Sequence, residues 1–277
     1  LVLLEKYTSQ QELIDGSANV DAMIIRSDIA SKEVLDNAKN LKIIVRAGAG
    51  YDNIDLATCT ANEIVAMNTP GQNSNAVAEL ALGMMVMAAR NNYDGTSGTE
   101  LKGKKLGIHA FGNVGKLVAK IAQGFGMDVY AYDAFVKPEI MKQMGVTPLE
   151  TREELYKMCQ YISLHIPATA ETKLSINYDL LMTMPKGATL VNTARAEVIH
   201  EEDLLKVMEE RADFKYYSDI TPKNATPFTE KFSNRIFFSP KKMGAQTAEA
   251  NINAGLAAAN QIVKFFETGD ITFKVNK

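Results

Sequence analysis

The chain has 277 residues, enough for one large domain or two, and its 46% hydrophobic and 23% charged content is that of an ordinary soluble globular protein. With 30 basic and 33 acidic residues the net charge is −3, which gives no reason to look for nucleic acid or an anionic membrane as a partner, and the longest apolar run, residues 80–89, is too short to span a bilayer. Two isolated cysteines, Cys59 and Cys159, offer neither a disulfide framework nor metal-ligand spacing, so reduced thiols, no metal and a cytoplasmic location are expected.

From the N-terminus, apolar patterning predicts short strands at 1–5, 22–26, 42–46 and 64–67 with helices between them, the first at 10–15. Strands and helices that alternate in this way build parallel sheets covered by helices. The first sheet reads as incomplete. A doubly wound unit begins with a central strand and helix, whereas residues 1–4 lead straight towards the helix at 10–15. About one βα unit of roughly 25–30 residues is expected to be missing at the front. A long helix rich in Ala, Leu and Met follows at 73–90. No linker of Gly, Ser or Pro precedes it, which predicts a rigid passage into a second sheet.

Residues 104–110 then read as a buried strand, followed by a tight turn at Phe111-Gly112 and an amphipathic helix that starts near Asn113. The run Gly107-Ile108-His109-Ala110-Phe111-Gly112-Asn113-Val114-Gly115 is a dinucleotide-binding fingerprint with Ala110 in place of its first glycine. Gly112 lets the backbone approach a pyrophosphate, Gly115 lets the helix pack closely on the sheet, and the helix N-terminus offers N–H groups and a positive dipole end to the phosphates. A second strand at 127–132 ends on Asp133. A carboxylate there accepts hydrogen bonds from ribose hydroxyls and repels a 2′-phosphate, so NAD is expected as the cofactor rather than NADP.

Further along, Thr151-Arg152-Glu153-Glu154 has capping-box spacing. Strands are predicted at 160–165, 188–192 and 214–218, a second long helix at 247–267, and a final strand at 272–275 after a turn at Gly269-Asp270. The second long helix would return the chain to the first sheet. The expected division is therefore a discontinuous substrate domain, 1–74 with 256–277, around a cofactor domain, 75–255.

Several motifs occur in a telling order: residues 46–55 (Arg-Ala-Gly-Ala-Gly-Tyr-Asp-Asn-Ile-Asp), Asn68-Thr69-Pro70 with Asn73-Ser74 and Ala78-Glu79-Leu80, the fingerprint with Asp133, Ser163-Leu164-His165-Ile166-Pro167, and Val191-Asn192-Thr193-Ala194-Arg195. On these the chain resembles the D-2-hydroxyacid dehydrogenases over nearly its whole length. The resemblance implies an α/β fold of two doubly wound parallel-sheet domains, a Rossmann cofactor domain inserted into a flavodoxin-like substrate domain. It implies that Arg195 binds the substrate carboxylate and polarises the C2 oxygen, for which a guanidinium fork with a permanent charge is suited. It places the N–H groups of Ala49 and Gly50 on the other carboxylate oxygen, with Asn73 beside the substrate. Arg26 and Arg46 would either hold a substrate phosphate or make ion pairs at the sheet edge. Around NAD it places Phe111, Gly112, Asn113, Val114, Gly115, Asp133, His165, Ile166, Pro167, Thr193, Ala194, Arg195, Asp219, Lys242 and Gly244.

Two departures stand out. The family carries its acid/base histidine in a Pro-His-x-Gly-Ala-type turn, and here the turn reads Pro240-Lys241-Lys242-Met243-Gly244-Ala245. Counted from the glycine, Lys242 takes the histidine's place; counted from the proline, Lys241 does. The glycine fixes the turn more tightly, which favours Lys242, either as the acid/base or as an anion binder. The glutamate that partners the family's histidine is also missing: Asp219 is followed by Ile220-Thr221-Pro222-Lys223-Asn224. A carboxylate would raise a lysine pKa that already stands at about 10.4, so the two losses read as linked, with the lysine in a carboxylate-free setting. His109 reads as a packed core residue and His165 as a neighbour of the nicotinamide.

The second departure is a short connection after Arg90-Asn91, where many relatives carry a longer arm with a tryptophan that reaches the other subunit; this chain has no Trp. A homodimer is still expected, because the helix over 76–89 needs cover on more than one face. No regulatory domain is expected after Lys277. The resemblance implies oxidation of 3-phospho-D-glycerate to 3-phosphohydroxypyruvate. Its alternatives are a reductase of an unphosphorylated 2-hydroxyacid such as glyoxylate and a non-catalytic NAD-sensing protein.

Overall fold

The computed structural model describes residues 1–277, which divide into a unit of Leu1–Asn73 with Thr247–Lys277 and a unit of Ser74–Gln246. In the first unit the order is α1 (Gln10–Ser17), β1 (Ala22–Ile25), α2 (Lys32–Asn37), β2 (Ile43–Arg46), α3 (Leu56–Ala61) and β3 (Val65–Asn68). Ser9, Ser31 and Asp55 cap the three helices through their side-chain oxygens. The strands pair in parallel in the order β1-β2-β3. β2 is buried on both faces: Ile44 packs with Leu35, Cys59 and Ala66, while Ile43 and Val45 pack with Met67. Residues 1–5, predicted as a strand, form none, and Leu1, Val2 and Leu3 are exposed. An apolar run becomes a strand only where a neighbour satisfies its backbone groups, and these residues have no ladder partner.

The second unit runs through α4 (Ser74–Ala89), β4 (Lys105–His109), α5 (Asn113–Gly124), β5 (Asp128–Tyr132), α6 (Pro138–Gln143), β6 (Thr147–Pro148), α7 (Arg152–Met158), β7 (Tyr161–Leu164), α8 (Tyr178–Met182), β8 (Thr189–Asn192), α9 (Glu201–Glu210), β9 (Lys215–Ser218), α10 (Thr226–Phe232) and β10 (Ile236–Phe238). Its seven strands are all parallel, in the order β10-β9-β8-β7-β4-β5-β6. The order reverses at β4, which lies between β5 and β7, and open sheets of this kind hold ligands at the carboxyl ends of the strands at that point. Leu106 and Ile108 of β4, Ala78, Met85 and Ala88 of α4, and Val118 and Ala122 of α5 form one buried face. α7 opens on the full capping box, with Thr151 and Glu154 bonding reciprocally.

The chain returns to the first unit in α11 (Ala248–Thr268), capped by Thr247 and ended by Gly269 in the left-handed conformation. Ala250, Ala254 and Ala258 are its buried residues, and the latter two pack on Ile43 and Val45. This stripe of small residues starts at the first turn. The unit therefore begins at Thr247, before the helix, rather than at 256 within it. The strand expected at 272–275 is a single antiparallel bridge between Lys274 and Met67. Asn276 completes it with side-chain bonds to the Ala66 N–H (2.9 Å) and the Ile64 carbonyl (3.0 Å), doing with an amide what a longer strand would do with its backbone. Cys59 and Cys159 are free and fully buried, and burial pushes both thiols up to about 12, which makes them inert. No helix is long and apolar enough to cross a membrane.

Ala110, in the first glycine position of the fingerprint, has φ +80. An L-residue is strained there and glycine is not. Ala110→Gly should stabilise the protein by about 0.5–1 kcal/mol, after allowance for the extra chain entropy of glycine. Urea unfolding would show this as a higher midpoint at unchanged slope.

Candidate functional site

At the end of β4 the ladder runs one residue further, with the Ala110 N–H on the Tyr132 carbonyl at 2.9 Å. The Phe111 N–H then donates to Asp133 Oδ2 at 2.6 Å, and Asp133 Oδ1 accepts from the N–H groups of Phe135 (2.8 Å) and Val136 (2.9 Å). Gly112 caps α5 without a side-chain bond, so the first N–H groups of the helix, at Asn113, Val114 and Gly115, have no side-chain cap. A Cβ on Gly112 would meet nothing within 4 Å, whereas one on Gly115 would lie 2.4 Å from the Ala110 carbonyl oxygen. Gly115 is thus what allows the helix to sit on the turn, and Gly112 faces open space. An uncapped helix N-terminus over a bare backbone fits a pyrophosphate.

The neighbouring strand ends carry buried polar atoms without partners: Ser163 Oγ and His165 Nε2 from β7 and just beyond, Thr193 Oγ1 after β8, and Asp219 Oδ1 after β9. Each would cost about 1–3 kcal/mol if it stayed unpaired. Their grouping along the carboxyl edge of three adjacent strands fits a polar ligand lying across that edge. Ile166 and Pro167 follow His165 in the same loop, and His165 is anchored by its N–H on the His109 carbonyl (3.0 Å). Burial pushes the His165 imidazole down to about 3, with nearby His109 adding to the shift, and pushes His109 down to about 4. His109 Nδ1 pairs with the Tyr156 hydroxyl at 3.2 Å, inside the core as its sequence position suggested. Both rings are neutral at physiological pH, and neither titrates where a general acid/base must.

Asn192, fully buried at the end of β8, accepts the Ala194 N–H (2.9 Å) and donates to the Arg195 carbonyl (3.0 Å), shaping the loop that presents Arg195. The residue lies in a motif noted above, yet its bracing role was not foreseen. The Ala194 carbonyl accepts from both Arg195 Nη1 (3.0 Å) and Lys242 Nζ (2.9 Å). One backbone oxygen thus brings Arg195 and Lys242 together. Lys241 takes a different part: its carbonyl accepts from Ser239 Oγ at 2.8 Å.

The lysine's setting is not free of carboxylates. Asp219, fully buried, accepts the Gly244 N–H at 2.7 Å, and its charge interacts with those of Lys242 and Arg195. Burial raises the Asp219 pKa, against the Gly244 hydrogen bond and the two cations. The carboxylate-free setting expected for the lysine is therefore not found, because Asp219 itself faces it.

In the first unit Arg26 and Arg46 brace a loop. Arg26 Nη1 donates to the Ala47 carbonyl (2.9 Å) and Arg46 Nε to the Arg26 carbonyl (3.1 Å), and the Arg46 guanidinium lies against Gly48. Asn68 Nδ2 donates to the Ala49 carbonyl (2.6 Å), which fixes the peptide that carries the Gly50 N–H. Asn73 is half-buried at the end of this unit.

A seven-stranded sheet with this turn at its switch point is a dinucleotide-binding α/β unit. The chain belongs to the D-isomer specific 2-hydroxyacid dehydrogenases, whose NAD binding domain matches residues 74–240, and NAD is the cofactor. Among solved structures it is similar to the NAD+-bound 3-phosphoglycerate dehydrogenase of Entamoeba histolytica, at 46% identity over 100% of this chain and 89% of that one, with a TM-score of 0.90. It is 34% identical to the D-3-phosphoglycerate dehydrogenase of Methanocaldococcus jannaschii, over 92% of this chain but 52% of that protein, so it spans about half the length of that relative. It is 35% identical to the hydroxypyruvate reductase of Thermotoga maritima, over 95% of this chain and 90% of that one.

The two depressed histidines set an acid limit. Their folded pKa values, about 4 and about 3, lie below the unfolded 6.5, so between these values the unfolded chain binds protons that the folded chain refuses. The stability they confer is complete above pH 6.5 and is lost as the pH falls towards 4. The urea midpoint should drop between pH 7 and pH 4.5, and His109→Gln should drop less over the same interval; an equal drop would remove His109 from the account.

Proposed function

We propose that this protein uses NAD to oxidise the C2 hydroxyl of 3-phospho-D-glycerate to 3-phosphohydroxypyruvate, the opening step of serine synthesis, as a cytoplasmic homodimer. The observation that carries the chemistry is the Ala194 carbonyl shared by Arg195 and Lys242. When bound, NAD supplies a hydride acceptor at its nicotinamide ring. The N–H groups of 113–115 take the pyrophosphate, Asp133 the ribose, and His165, Thr193 and Asp219 Oδ1 the polar groups near the nicotinamide. The Arg195 guanidinium pairs with the substrate carboxylate and sets a positive charge beside the C2 oxygen. Lys242 Nζ takes the hydroxyl proton in oxidation and returns it in reduction. Within the first unit, the N–H groups of Ala49 and Gly50 are donors suited to a carboxylate oxygen, and Arg26 and Arg46 are cations suited to a phosphate.

Similarity to the Entamoeba and Methanocaldococcus enzymes supports the phosphorylated substrate. Similarity to the Thermotoga enzyme supports a second reading, reduction of an unphosphorylated 2-oxoacid such as hydroxypyruvate or glyoxylate. Nothing favours a non-catalytic sensor. The dimer is supported by the apolar surface of α4 and α5, where Leu80, Val86, Met87, Leu117 and Ile121 are only partly buried and Phe125 is exposed.

NADH consumption with phosphohydroxypyruvate should exceed that with hydroxypyruvate or glyoxylate in kcat/KM; the reverse order selects the second reading. Lys242→Met should lower kcat by about 100-fold or more with NADH affinity little changed. Turnover within a few-fold of the parent would leave Lys242 as an anion binder.

A further inference from the structure

Lys242 lies in a turn pinned on both sides. Before it, the Lys241 carbonyl accepts from Ser239 Oγ (2.8 Å), and Ser239 is itself tied to Ser218 by its N–H (3.2 Å) and to Thr221 by its carbonyl (2.9 Å). After it, the Gly244 N–H donates to Asp219 Oδ2 at 2.7 Å. The first pin is a neutral hydroxyl on the turn itself. The second is a charge-assisted bond to a fully buried carboxylate at the end of β9, and bonds of that kind are roughly twice as strong as neutral ones. The approach is so close that a Cβ on residue 244 would stand 2.7 Å from Asp219 Oδ2 and 3.3 Å from Val77 Cγ2. Only glycine lets the carboxylate reach this backbone, so glycine and aspartate form one device.

We infer that Asp219 is the positioning residue for Lys242: through the Gly244 N–H it fixes the turn that holds Nζ against the Ala194 carbonyl beside Arg195. The inference rests on the acid/base reading of Lys242. It gives Asp219 a task apart from any contact of its other oxygen with the cofactor. It also explains how a lysine on a flexible four-carbon stem is held in one place. The backbone is clamped two residues away, and the stem has only to span from there to one carbonyl.

The test is a set of variants assayed at saturating NADH, so that cofactor affinity does not enter kcat. Asp219→Ala and Gly244→Ala should each lower kcat by about 10-fold or more, and the double variant should be no worse than the poorer single one, because both remove the same clamp. Asp219→Asn keeps an oxygen for the Gly244 N–H and should recover most of the loss. In a Lys242→Met background, Asp219→Ala should cost less kcat than it does in the parent, because only its contact near the cofactor is then left to lose. A full additional loss in that background, or an unchanged kcat in Gly244→Ala, would overturn the inference. Position is read independently of activity in crystals of Gly244→Ala. Lys242 Nζ moved beyond hydrogen-bond reach of the Ala194 carbonyl supports the clamp, and Nζ still in place refutes it, even if Lys242→Met has already shown that the lysine is not the acid/base.

Discussion

A single charge-assisted bond, from the Phe111 N–H to Asp133, organises the cofactor end of this molecule. It ties the end of β4 to the end of β5, the two strands between which the nucleotide turn is built. The other oxygen of the same carboxylate gathers the N–H groups of Phe135 and Val136, so the chain leaving β5 is fixed as well. With both strand ends held, Ala110 tolerates a left-handed conformation, and α5 can start at once with its N–H groups uncapped. In the proposed reading the same carboxylate would set the cofactor preference, since a negative charge at that point is complementary to ribose hydroxyls and repels a 2′-phosphate.

Along the sheet the same economy recurs. The ends of β7, β8 and β9 carry buried polar atoms that the fold does not satisfy, while their immediate neighbours are fully used. Asn192 spends its amide on the Ala194 and Arg195 backbone, and Asp219 spends one oxygen on Gly244 and leaves the other without a partner. These unmet hydrogen bonds lie where a polar ligand would relieve them. Under the acid/base reading proposed for Lys242, the lysine fits this arrangement. A histidine needs a carboxylate to orient its ring, whereas a lysine needs its backbone held and its charge not too closely paired. Asp219 meets the first need through Gly244, and the Arg195 guanidinium shares both the lysine's acceptor and Asp219's field.

What could be read from the sequence was what is local. The fingerprint strand, the turn, the helix with its buried Gly115 face, the acid at the second strand end and the Thr151 capping box each declare themselves within a few residues. Elements that depend on a distant partner did not. Residues 1–5 have strand composition but no ladder, and residues 272–275 are reduced to one bridge because Asn276 supplies the remaining bonds. β6 and β10, two and three residues long, are too short to carry a period. In the proposed site, Arg195 and Lys242 were singled out by the motifs around them. Their meeting on the Ala194 carbonyl was not legible, since Lys242 lies 48 residues further along the chain. The tie from Asp219 to the turn of Lys242 was hidden for the same reason: its partner, Gly244, is 25 residues away.

The central claim is that the turn at 110–115 and Asp133 form a site for NAD. Calorimetric titration of the protein with NADH and, separately, NADPH tests it most directly. The account predicts saturable binding of NADH at one site per chain, and binding of NADPH weaker by about an order of magnitude or more, from the repulsion at Asp133. Absence of NADH binding, or equal affinity for the two, would contradict it.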